Sequence, residues 1–247
     1  MIGGVIVTGG SRGIGAATAR LLAHQGWAVC VNFRHRADAA SALVDEIRRG
    51  GGGAIAVAGD VASEADVCRL FDAAEQAFGS VSGLVNNAGI LAPASLLADM
   101  DLDRWNSTIA TNLTGVFLCA REAVRRMARS RGGAGGAIVN ISSMAAVLGA
   151  AHEFTDYAAA KGAVDALTIG LAKEVASDGV RVNAVRAGLI ETEIHAASGV
   201  DRLAELVSSV PMQRSGTPDE VAGAIAWLLS DAASYCCGTT ITVSGGR

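Results

Sequence analysis

Short apolar runs alternate with longer amphipathic segments along almost the whole chain. The apolar runs have the length of buried strands and the amphipathic segments the length of helices, which is typical of successive βαβ units. The predicted strands are Val5–Thr8, Trp27–Asn32, Ala54–Ala58, Leu84–Asn86, Ala137–Ile141, Val180–Val185 and Thr240–Val243. The predicted helices follow the first strand through His24 and then cover Ala37–Arg49, Glu64–Phe78, Leu102–Arg129, Asp156–Ser177 and Pro218–Ser230. We therefore expect an α/β fold, a Rossmann-type doubly wound parallel sheet of about seven strands with helices on both faces.

Composition narrows the class of protein further. The chain is 51% apolar and 18% charged, so it can bury a large core, and no linker divides it; residues 1–247 are predicted to form one domain. A net charge of −4 without a block of like charges argues against a nucleic-acid surface. The five cysteines have no zinc-site spacing, which predicts no metal and a reduced environment. No signal peptide precedes the first strand, and the uncharged stretches 79–98 and 132–152 contain polar residues in mid-run, so we expect a cytoplasmic protein without membrane spans.

A glycine-rich turn stands between the first predicted strand and the first helix. Its sequence runs Thr8-Gly9-Gly10-Ser11-Arg12-Gly13-Ile14-Gly15. Glycines at this place let backbone N–H groups approach a pyrophosphate, which the positive end of the helix also attracts. A turn that merely needs positive φ angles would explain the glycines alone, but their position after a buried strand favours a dinucleotide.

The end of the second predicted strand carries cations where NAD-binding folds place a carboxylate for the ribose 2′-hydroxyl. The strand ends with Asn32, Phe33 and Arg34, and Arg12 lies in the glycine turn. Because a guanidinium fork suits a 2′-phosphate, NADP(H) is favoured over NAD(H). NAD(H) remains the alternative if these arginines are ordinary solvated charges. After the third strand, Asp60-Val61 is placed to meet the adenine, although an isolated aspartate is equally a helix N-cap.

Tyr157 and Lys161 stand four residues apart at the start of an alanine-rich helix, so their side chains share one face. A tyrosine hydroxyl with a pKa of about 10 is a poor acid/base catalyst at neutral pH. A lysine ammonium about 4–6 Å away supplies on the order of 3–4 kcal/mol toward the anion, which lowers that pKa enough for proton transfer. The spacing alone also fits a plain helix with a surface lysine.

Three more polar elements are expected to point to the carboxyl edge of the predicted sheet. They are Asn86-Asn87-Ala88-Gly89, Asn112 in the long helix, and Ile141-Ser142-Ser143. The carboxyl edge of a parallel sheet is where such folds bind ligands. Together with Thr8–Gly15, the Tyr157/Lys161 pair, Asn183-Ala184-Val185 and the closing Thr242-Val243-Ser244-Gly245-Gly246, these elements resemble the short-chain dehydrogenase/reductase family over essentially the whole chain. The resemblance is nearest to its glucose 1-dehydrogenase-like and 3-oxoacyl-carrier-protein-reductase-like members.

The resemblance implies an enzyme that transfers hydride between NAD(P)(H) and a secondary alcohol or ketone. Tyr157 would be the general acid/base, Lys161 would lower its pKa and hold the nicotinamide ribose, and Ser143 would hydrogen-bond the reacting oxygen. Asn112 would hold a water that links Lys161 to solvent. The implied cofactor contacts are Gly9, Ser11, Arg12, Gly13, Ile14, Gly15, Asn32, Phe33, Arg34, Asp60, Val61, Asn87, Ala88, Gly89, Tyr157, Lys161, Gly188, Ile190 and Thr192.

Two positions depart from the family pattern. Ser143 precedes Tyr157 by fourteen residues, one more than is common, so either Ser142 or Ser143 could be the catalytic hydroxyl; we favour Ser143. Ala187 stands where the family usually has proline before Gly188, which predicts a looser nicotinamide-side loop. Substrate choice is expected from the segments 91–97, 150–156 and 191–210, with His152, Glu153 and His195 as candidate contacts or plain surface polarity.

The partner expected in the cleft is a small carbonyl or alcohol. Small residues around Ala158–Gly170 allow close helix approach, and two long helices carry more apolar surface than one core needs. We therefore expect a homotetramer, as in the family, or at least a homodimer. A non-catalytic nucleotide-binding scaffold or sensor that kept the fold is the alternative to an enzyme.

Overall fold

The structure is a computed structural model and describes residues 2–192 and 206–247. Seven parallel strands form one sheet in the order β3-β2-β1-β4-β5-β6-β7. They are β1 (Gly4–Val7), β2 (Ala28–Phe33), β3 (Ala54–Ala58), β4 (Val81–Asn86), β5 (Gly136–Ser143), β6 (Val180–Ala187) and β7 (Thr240–Val243). The order reverses between β1 and β4, which creates the crevice at the carboxyl ends of the strands where such sheets bind ligands. The predicted fold class is confirmed.

Helices cover both faces of this sheet. They are α1 (Gly13–His24), α2 (Ala37–Arg49), α3 (Glu64–Phe78), α4 (Leu102–Ile109), α5 (Gly115–Met127), α6 (Ala145–Leu148), α7 (Thr155–Val175) and α8 (Pro218–Leu229). Among the described residues, no helix is both long and apolar enough to cross a bilayer.

The strands divide their side chains between two cores because successive residues of a strand point to opposite faces. Val5 and Val7 of β1 pack with α1, α2 and α8, whereas Ile6 between them packs with α3, α5 and α7. Both faces of the central strands are therefore buried, as the uninterrupted apolar runs of the sequence predict.

The helix predicted over Leu102–Arg129 is wrong in one respect. The chain forms α4, then a π-helical turn over Ala110–Thr114, then α5, which ends at Met127. A π-turn adds one residue to a helix without breaking its apolar pattern, so hydrophobic periodicity does not detect it. Such turns occur frequently at functional sites, and this one contains Asn112.

Candidate active site

The turn after β1 is built for close approach of backbone atoms. Gly9 and Gly13 have positive φ angles of 59° and 52°, which other residues adopt at a cost. A Cβ atom on Gly9 would lie 2.9 Å from the Cα atom of Ala88, and one on Gly15 would lie 2.5 Å from Nδ2 of Asn87. No side chain caps α1 at its first residue. The turn therefore offers backbone N–H groups at the positive end of a twelve-residue helix, as a pyrophosphate requires.

Neutral hydrogen bonds join this turn to the neighbouring strand β4. The Thr8 hydroxyl accepts from the backbone N–H groups of Asn87 and Ala88, both at 3.0 Å. The Asn87 amide donates to the carbonyl oxygens of Thr8 and Gly9 at 2.9 and 3.0 Å. Asn87 thus holds the glycine turn with its side chain, so its predicted contact with a ligand would come from other atoms.

Asn32 also holds the glycine turn with its side chain, from the side of β2. Its buried side chain accepts from the N–H of Gly9 at 3.3 Å and donates to the carbonyl of Gly59 at 3.0 Å. Beyond it, Nε of Arg34 lies 3.3 Å from a carboxylate oxygen of Asp60. The predicted cation and the predicted adenine partner therefore contact each other at the mouth of the crevice.

Asn112 lies in the π-turn and is fully buried. Its side-chain oxygen accepts from the N–H of Ile90 at 3.1 Å, and its amide donates to the carbonyls of Ile90 and Thr108, both at 3.0 Å. A Cβ atom on Gly89 would lie 2.8 Å from that oxygen and 3.9 Å from Nζ of Lys161. Asn112 therefore braces the segment after β4 and lies close to the lysine.

Three predicted catalytic side chains meet where β5 ends beside the first turns of α7. The hydroxyl of Ser143 hydrogen-bonds Tyr157 and accepts from the N–H of Ala145 at 3.1 Å. Nζ of Lys161 lies 5.6 Å from the centre of the Tyr157 ring and donates to the carbonyl of Ile141 at 2.7 Å. The arrangement brings a phenol, a hydroxyl and an ammonium together at one end of the crevice.

The neighbouring serine has a different environment. The Ser142 side chain is buried, and its hydroxyl donates to the carbonyl of Lys161 at 3.4 Å. Of the two serines left open by the sequence, Ser143 is the one bonded to Tyr157.

The electrostatics of this group differ from the sequence-based expectation. Burial raises the pKa of Tyr157 to about 12, against which the Ser143 hydrogen bond works. Burial also lowers the pKa of Lys161 to about 8, opposed by the charge of Asp165. The protein's own groups therefore do not lower the tyrosine pKa, because desolvation of the phenolate outweighs the Ser143 hydrogen bond.

A cleft of about 710 Å³ connects these elements, a volume within the range of cofactor sites. Its lining includes nearly every predicted site residue: Gly9, Ser11, Arg12, Gly13, Ile14, Asn32, Phe33, Arg34, Asp60, Val61, Asn87, Ala88, Gly89, Ser143, Tyr157, Lys161, Gly188, Ile190 and Thr192. Gly15 and Asn112 lie behind that surface, the first under the glycine turn and the second under the segment after β4. Leu91, Leu148, Phe154 and Leu206 add apolar walls.

The segment after β6 is held by backbone bonds despite Ala187 in place of the family proline. The carbonyl of Ala187 accepts from the N–H of Met144 at 2.8 Å, and the N–H of Gly188 donates to Val243 at 2.9 Å. A Cβ atom on Gly188 would lie 2.6 Å from the Cα atom of Ser244. These contacts hold the described part of the loop near β7. His195 and most of the segment 191–210 lie outside the described residues.

Sequence reasoning missed one charged group beside the site. Arg104 of α4 forms an ion pair with Asp156, the residue before Tyr157, with Nε 2.9 Å from a carboxylate oxygen. The two residues are 52 positions apart, and no local pattern links them. The sequence shows only that an aspartate precedes Tyr157. That this carboxylate is buried, and therefore needs a charged partner, is visible only in the structure.

Comparisons with known proteins agree with this geometry. The family model for enoyl-(acyl carrier protein) reductase matches residues 9–247. The chain is 50% identical over 243 residues to the uncharacterized oxidoreductase YgfF of Escherichia coli K12, with 98% of both chains covered. It is 42% identical to 3beta-hydroxysteroid dehydrogenase 1 of Eggerthella lenta, covering 98% of this chain and 92% of that one. It is also 42% identical to a 3-oxoacyl-[acyl-carrier-protein] reductase of Synechocystis, covering 98% and 95%. The chain therefore belongs to the short-chain dehydrogenase/reductase family and is an oxidoreductase acting on alcohol or ketone groups.

Proposed function

We propose that this protein is an NADP(H)-dependent oxidoreductase that moves hydride between the nicotinamide and the carbon of a secondary alcohol or ketone, with Tyr157 as general acid/base. One observation carries the proposal: Tyr157, bonded to Ser143 and 5.6 Å by its ring centre from the Lys161 amine, shares a cleft with the glycine turn. A phenol bonded to a second hydroxyl, with an amine nearby, is suited to proton transfer at a carbonyl oxygen.

The residues present fit a dinucleotide. The tight glycine turn, which has no room for a Cβ atom at Gly9 or Gly15, presents backbone donors at the start of α1. Lys161 and Ser143 line the same cleft at its other end. When bound in its reduced form, the nicotinamide supplies a hydride, with its electron pair, to the carbonyl carbon of the substrate.

The chain's own groups handle the proton. In reduction, the Tyr157 hydroxyl donates its proton to the carbonyl oxygen as the C–O double bond becomes single, and in oxidation the phenolate takes that proton back. Ser143 hydrogen-bonds the same oxygen and stabilises its developing charge. Lys161 and the positive charge of an oxidised nicotinamide favour the phenolate, and Asn112 holds a water through which Lys161 exchanges protons with solvent.

NADP(H) preference rests on the cations at the end of β2. Arg34 is about half exposed, so it can turn from Asp60 toward a 2′-phosphate at little cost. Asn32 stands before it and carries no charge to repel that phosphate. The alternative is an NAD(H)-preferring enzyme in which Asp60 keeps Arg34 occupied.

The test compares kcat/KM for NADPH and NADH over a panel of ketones, in the wild type and in Arg34→Asp. We expect the preference for NADPH to fall by about 10- to 100-fold, the effect of losing charge-assisted hydrogen bonds. Arg131→Asp is the matched control, because Arg131 lies before β5, at the amino-terminal ends of the strands, whereas the cleft lies at their carboxyl ends. An unchanged preference in Arg34→Asp contradicts the proposed role of Arg34. NADPH binding without turnover of any substrate, and without an effect of Tyr157→Phe, favours a non-catalytic scaffold or sensor instead.

The proposal extends to assembly and location. Exposed apolar side chains lie on α5 and α7, with Phe117 and Ile169 each more than two-fifths exposed, and Gly170 has open space beside it. We propose that these faces pair in a cytoplasmic homotetramer, or at least a homodimer. Light scattering at micromolar concentration tests this, and a monomer contradicts it.

A further inference from the structure

The guanidinium of Arg104 contacts three separate segments around the substrate end of the cleft. It makes a two-pronged ion pair with Asp156, with Nε 2.9 Å from one carboxylate oxygen and a terminal nitrogen 3.3 Å from the other. Its terminal nitrogens also donate to the carbonyl of Pro93 and, at 3.3 Å, to that of Glu153. A planar fork of five N–H groups can satisfy this geometry, which a lysine ammonium cannot.

Two of these segments are the described substrate loops. Pro93 belongs to the loop after β4, whose Leu91 lines the cleft, and Glu153 belongs to the loop before α7, where Glu153 and Phe154 line it. The N–H of Ser95 also donates to the Glu153 carbonyl, at 3.0 Å. Arg104 therefore completes a bridge between the two loops that face each other across the substrate end.

The loop before α7 needs such support. Ala150 and His152 have positive φ angles of 45° and 68°, a left-handed conformation that is unfavourable for residues other than glycine. A strained backbone persists only where surrounding contacts hold it. Within the loop, the carbonyl of Glu153 receives both the Ser95 and the Arg104 hydrogen bonds.

The third segment is the first turn of α7, directly before Tyr157. The Asp156 side chain is almost fully buried and also accepts from the Thr108 hydroxyl at 3.0 Å and from the backbone N–H of Tyr157. Burial alone would raise the Asp156 pKa, but the hydrogen bonds from Arg104, Tyr157 and Thr108 hold it below its usual value. The carboxylate is charged, and it connects the guanidinium to the backbone that carries the phenol.

We propose that Arg104 is a positioning residue that determines substrate specificity: it fixes the distance between the two substrate loops and their placement relative to Tyr157. This inference rests on the proposed function, because it assumes that the substrate's reacting carbon lies beside Tyr157. Arg104 does not line the cleft and acts only through Asp156, Pro93 and Glu153.

The experiment compares Arg104→Ala and Arg104→Lys with Arg126→Ala in the full chain. Arg126 is a suitable control because its side chain is similarly buried (16% exposed against 13%) and also joins two helices, with Nε 3.0 Å from Glu75 of α3. Steady-state kinetics with NADP⁺ would use isopropanol as the small alcohol and cyclohexanol as the bulky one. Hydrogen exchange by mass spectrometry would follow residues 91–97 and 150–154, and fluorescence titration would give the Kd for NADPH.

In Arg104→Ala we expect kcat/KM to fall about 10- to 100-fold, because small displacements near a reacting centre cause losses of that size. We also expect a raised KM and a changed ratio of kcat/KM between the two alcohols. Amide exchange in both loops should become faster. The Kd for NADPH should stay within about twofold, because the side-chain hydrogen bonds of Arg104 go to Pro93, Glu153 and Asp156 and not to the glycine turn. Arg104→Lys should lie between wild type and alanine, since it keeps the charge and loses the fork. Arg126→Ala should lower the melting temperature but leave the alcohol ratio and loop exchange unchanged.

The proposal is overturned if Arg104→Ala has the alcohol ratio or the loop exchange rate of wild type. It is also overturned if Arg126→Ala changes the alcohol ratio and the loop exchange as Arg104→Ala does. If the wild type oxidises neither alcohol nor any other tested substrate, the proposed function fails on its own. In that case loop exchange in the NADPH complex still decides the question for Arg104: faster exchange confined to the two loops supports its positioning role, and wild-type exchange overturns it.

Discussion

The two ends of the cleft are held together by different kinds of interaction. Around the glycine turn the contacts are neutral: the Thr8 hydroxyl and the Asn87 and Asn32 amides bond to backbone groups of neighbouring strands. Around Tyr157 the contacts involve buried charge, with Lys161 almost fully buried and Asp156 paired to Arg104. Neutral amides and hydroxyls do not titrate between about pH 4 and 9, whereas buried ionisable groups respond to every neighbouring charge.

This difference separates binding from chemistry. The glycine-turn end is held by the protein's own neutral hydrogen bonds, so its geometry should not depend on pH. At the other end, burial raises the pKa of Tyr157 to about 12 and lowers that of Lys161 to about 8, so both groups are shifted toward their neutral forms. An added positive charge stabilises the phenolate but cannot improve a neutral network. Variants at the catalytic end should therefore change rates and pH profiles, and variants at the other end should change affinity and stability.

The largest expected effect comes from removing the Tyr157 hydroxyl. Tyr157→Phe should lower kcat/KM by about 10²- to 10⁴-fold, because a positioned proton donor contributes that much. The Kd for NADPH should stay within about twofold, since the glycine turn is untouched. The chain has two tyrosines, and the other, Tyr235, is fully exposed, so Tyr235→Phe is the matched control. Wild-type turnover in Tyr157→Phe would remove the tyrosine from the mechanism.

The next effect concerns the charge of Lys161. In the proposed mechanism, oxidation of an alcohol needs the Tyr157 phenolate, so its rate should rise with pH until that group is deprotonated. Removing a cation about 5–6 Å away costs the phenolate about 3 kcal/mol at an effective dielectric near 20, which corresponds to about two pH units. Because the pKa of Lys161 is about 8, its ammonium acts on the phenolate only below that pH, where the charge of the oxidised cofactor is needed to bring the tyrosine into range. In that range Lys161→Met should move the rising limb of the profile for kcat to higher pH by up to about two units.

The chain's only other lysine provides the control for this experiment. Lys173 is exposed on the same helix, α7, three turns further along. Lys173→Met should leave the pH profile in place, because an exposed charge at that distance is screened. A limb that stays at the same pH in Lys161→Met would mean that the lysine acts through contacts rather than through its charge.

Local patterns explain which parts of this structure were predictable. The glycine turn and the Tyr157/Lys161 pair each lie within a few residues, so spacing alone places them at the start of a helix. The alternation of Val5, Ile6 and Val7 between two cores also follows from the strand's period of two. Each of these features depends only on residues that are close together in the sequence.

The parts that were not predicted depend on tertiary packing. Arg104 and Asp156 are 52 residues apart and meet only because α4 packs on α7. The π-turn over Ala110–Thr114 preserves the apolar pattern of a continuous helix. The direction of the Tyr157 pKa shift depends on how much water the fold excludes, and a charge four residues away does not reveal that.

A smaller effect is expected at the neutral end of the cleft. Thr8→Val keeps the shape of the side chain but leaves the N–H groups of Asn87 and Ala88 without their acceptor, at a cost of about 1–3 kcal/mol of unfolding free energy. The Kd for NADPH should rise about tenfold, by the same amount at pH 6 and pH 9. Thr18→Val is the control: Thr18 is equally buried, but its hydroxyl only donates to the carbonyl of Ile14 within α1. A pH-dependent change in Kd would contradict the neutral character of this end.

The smallest effect tests an ion pair at the ligand-facing surface of the glycine-turn end, between Arg34 and Asp60. Asp60→Asn keeps an acceptor for the N–H of Ala62, at 2.9 Å in the wild type, but removes the charge that holds Arg34. Since partly exposed ion pairs are worth about 0.2–1 kcal/mol, the kcat/KM ratio of NADPH to NADH should rise by about two- to fivefold. The ratio removes any loss of adenine binding, because both cofactors share that base. A ratio that does not change, or that falls, would show that Asp60 does not compete with a 2′-phosphate for Arg34. The glycine-turn end would then hold its ligand without a contribution from the Arg34–Asp60 ion pair.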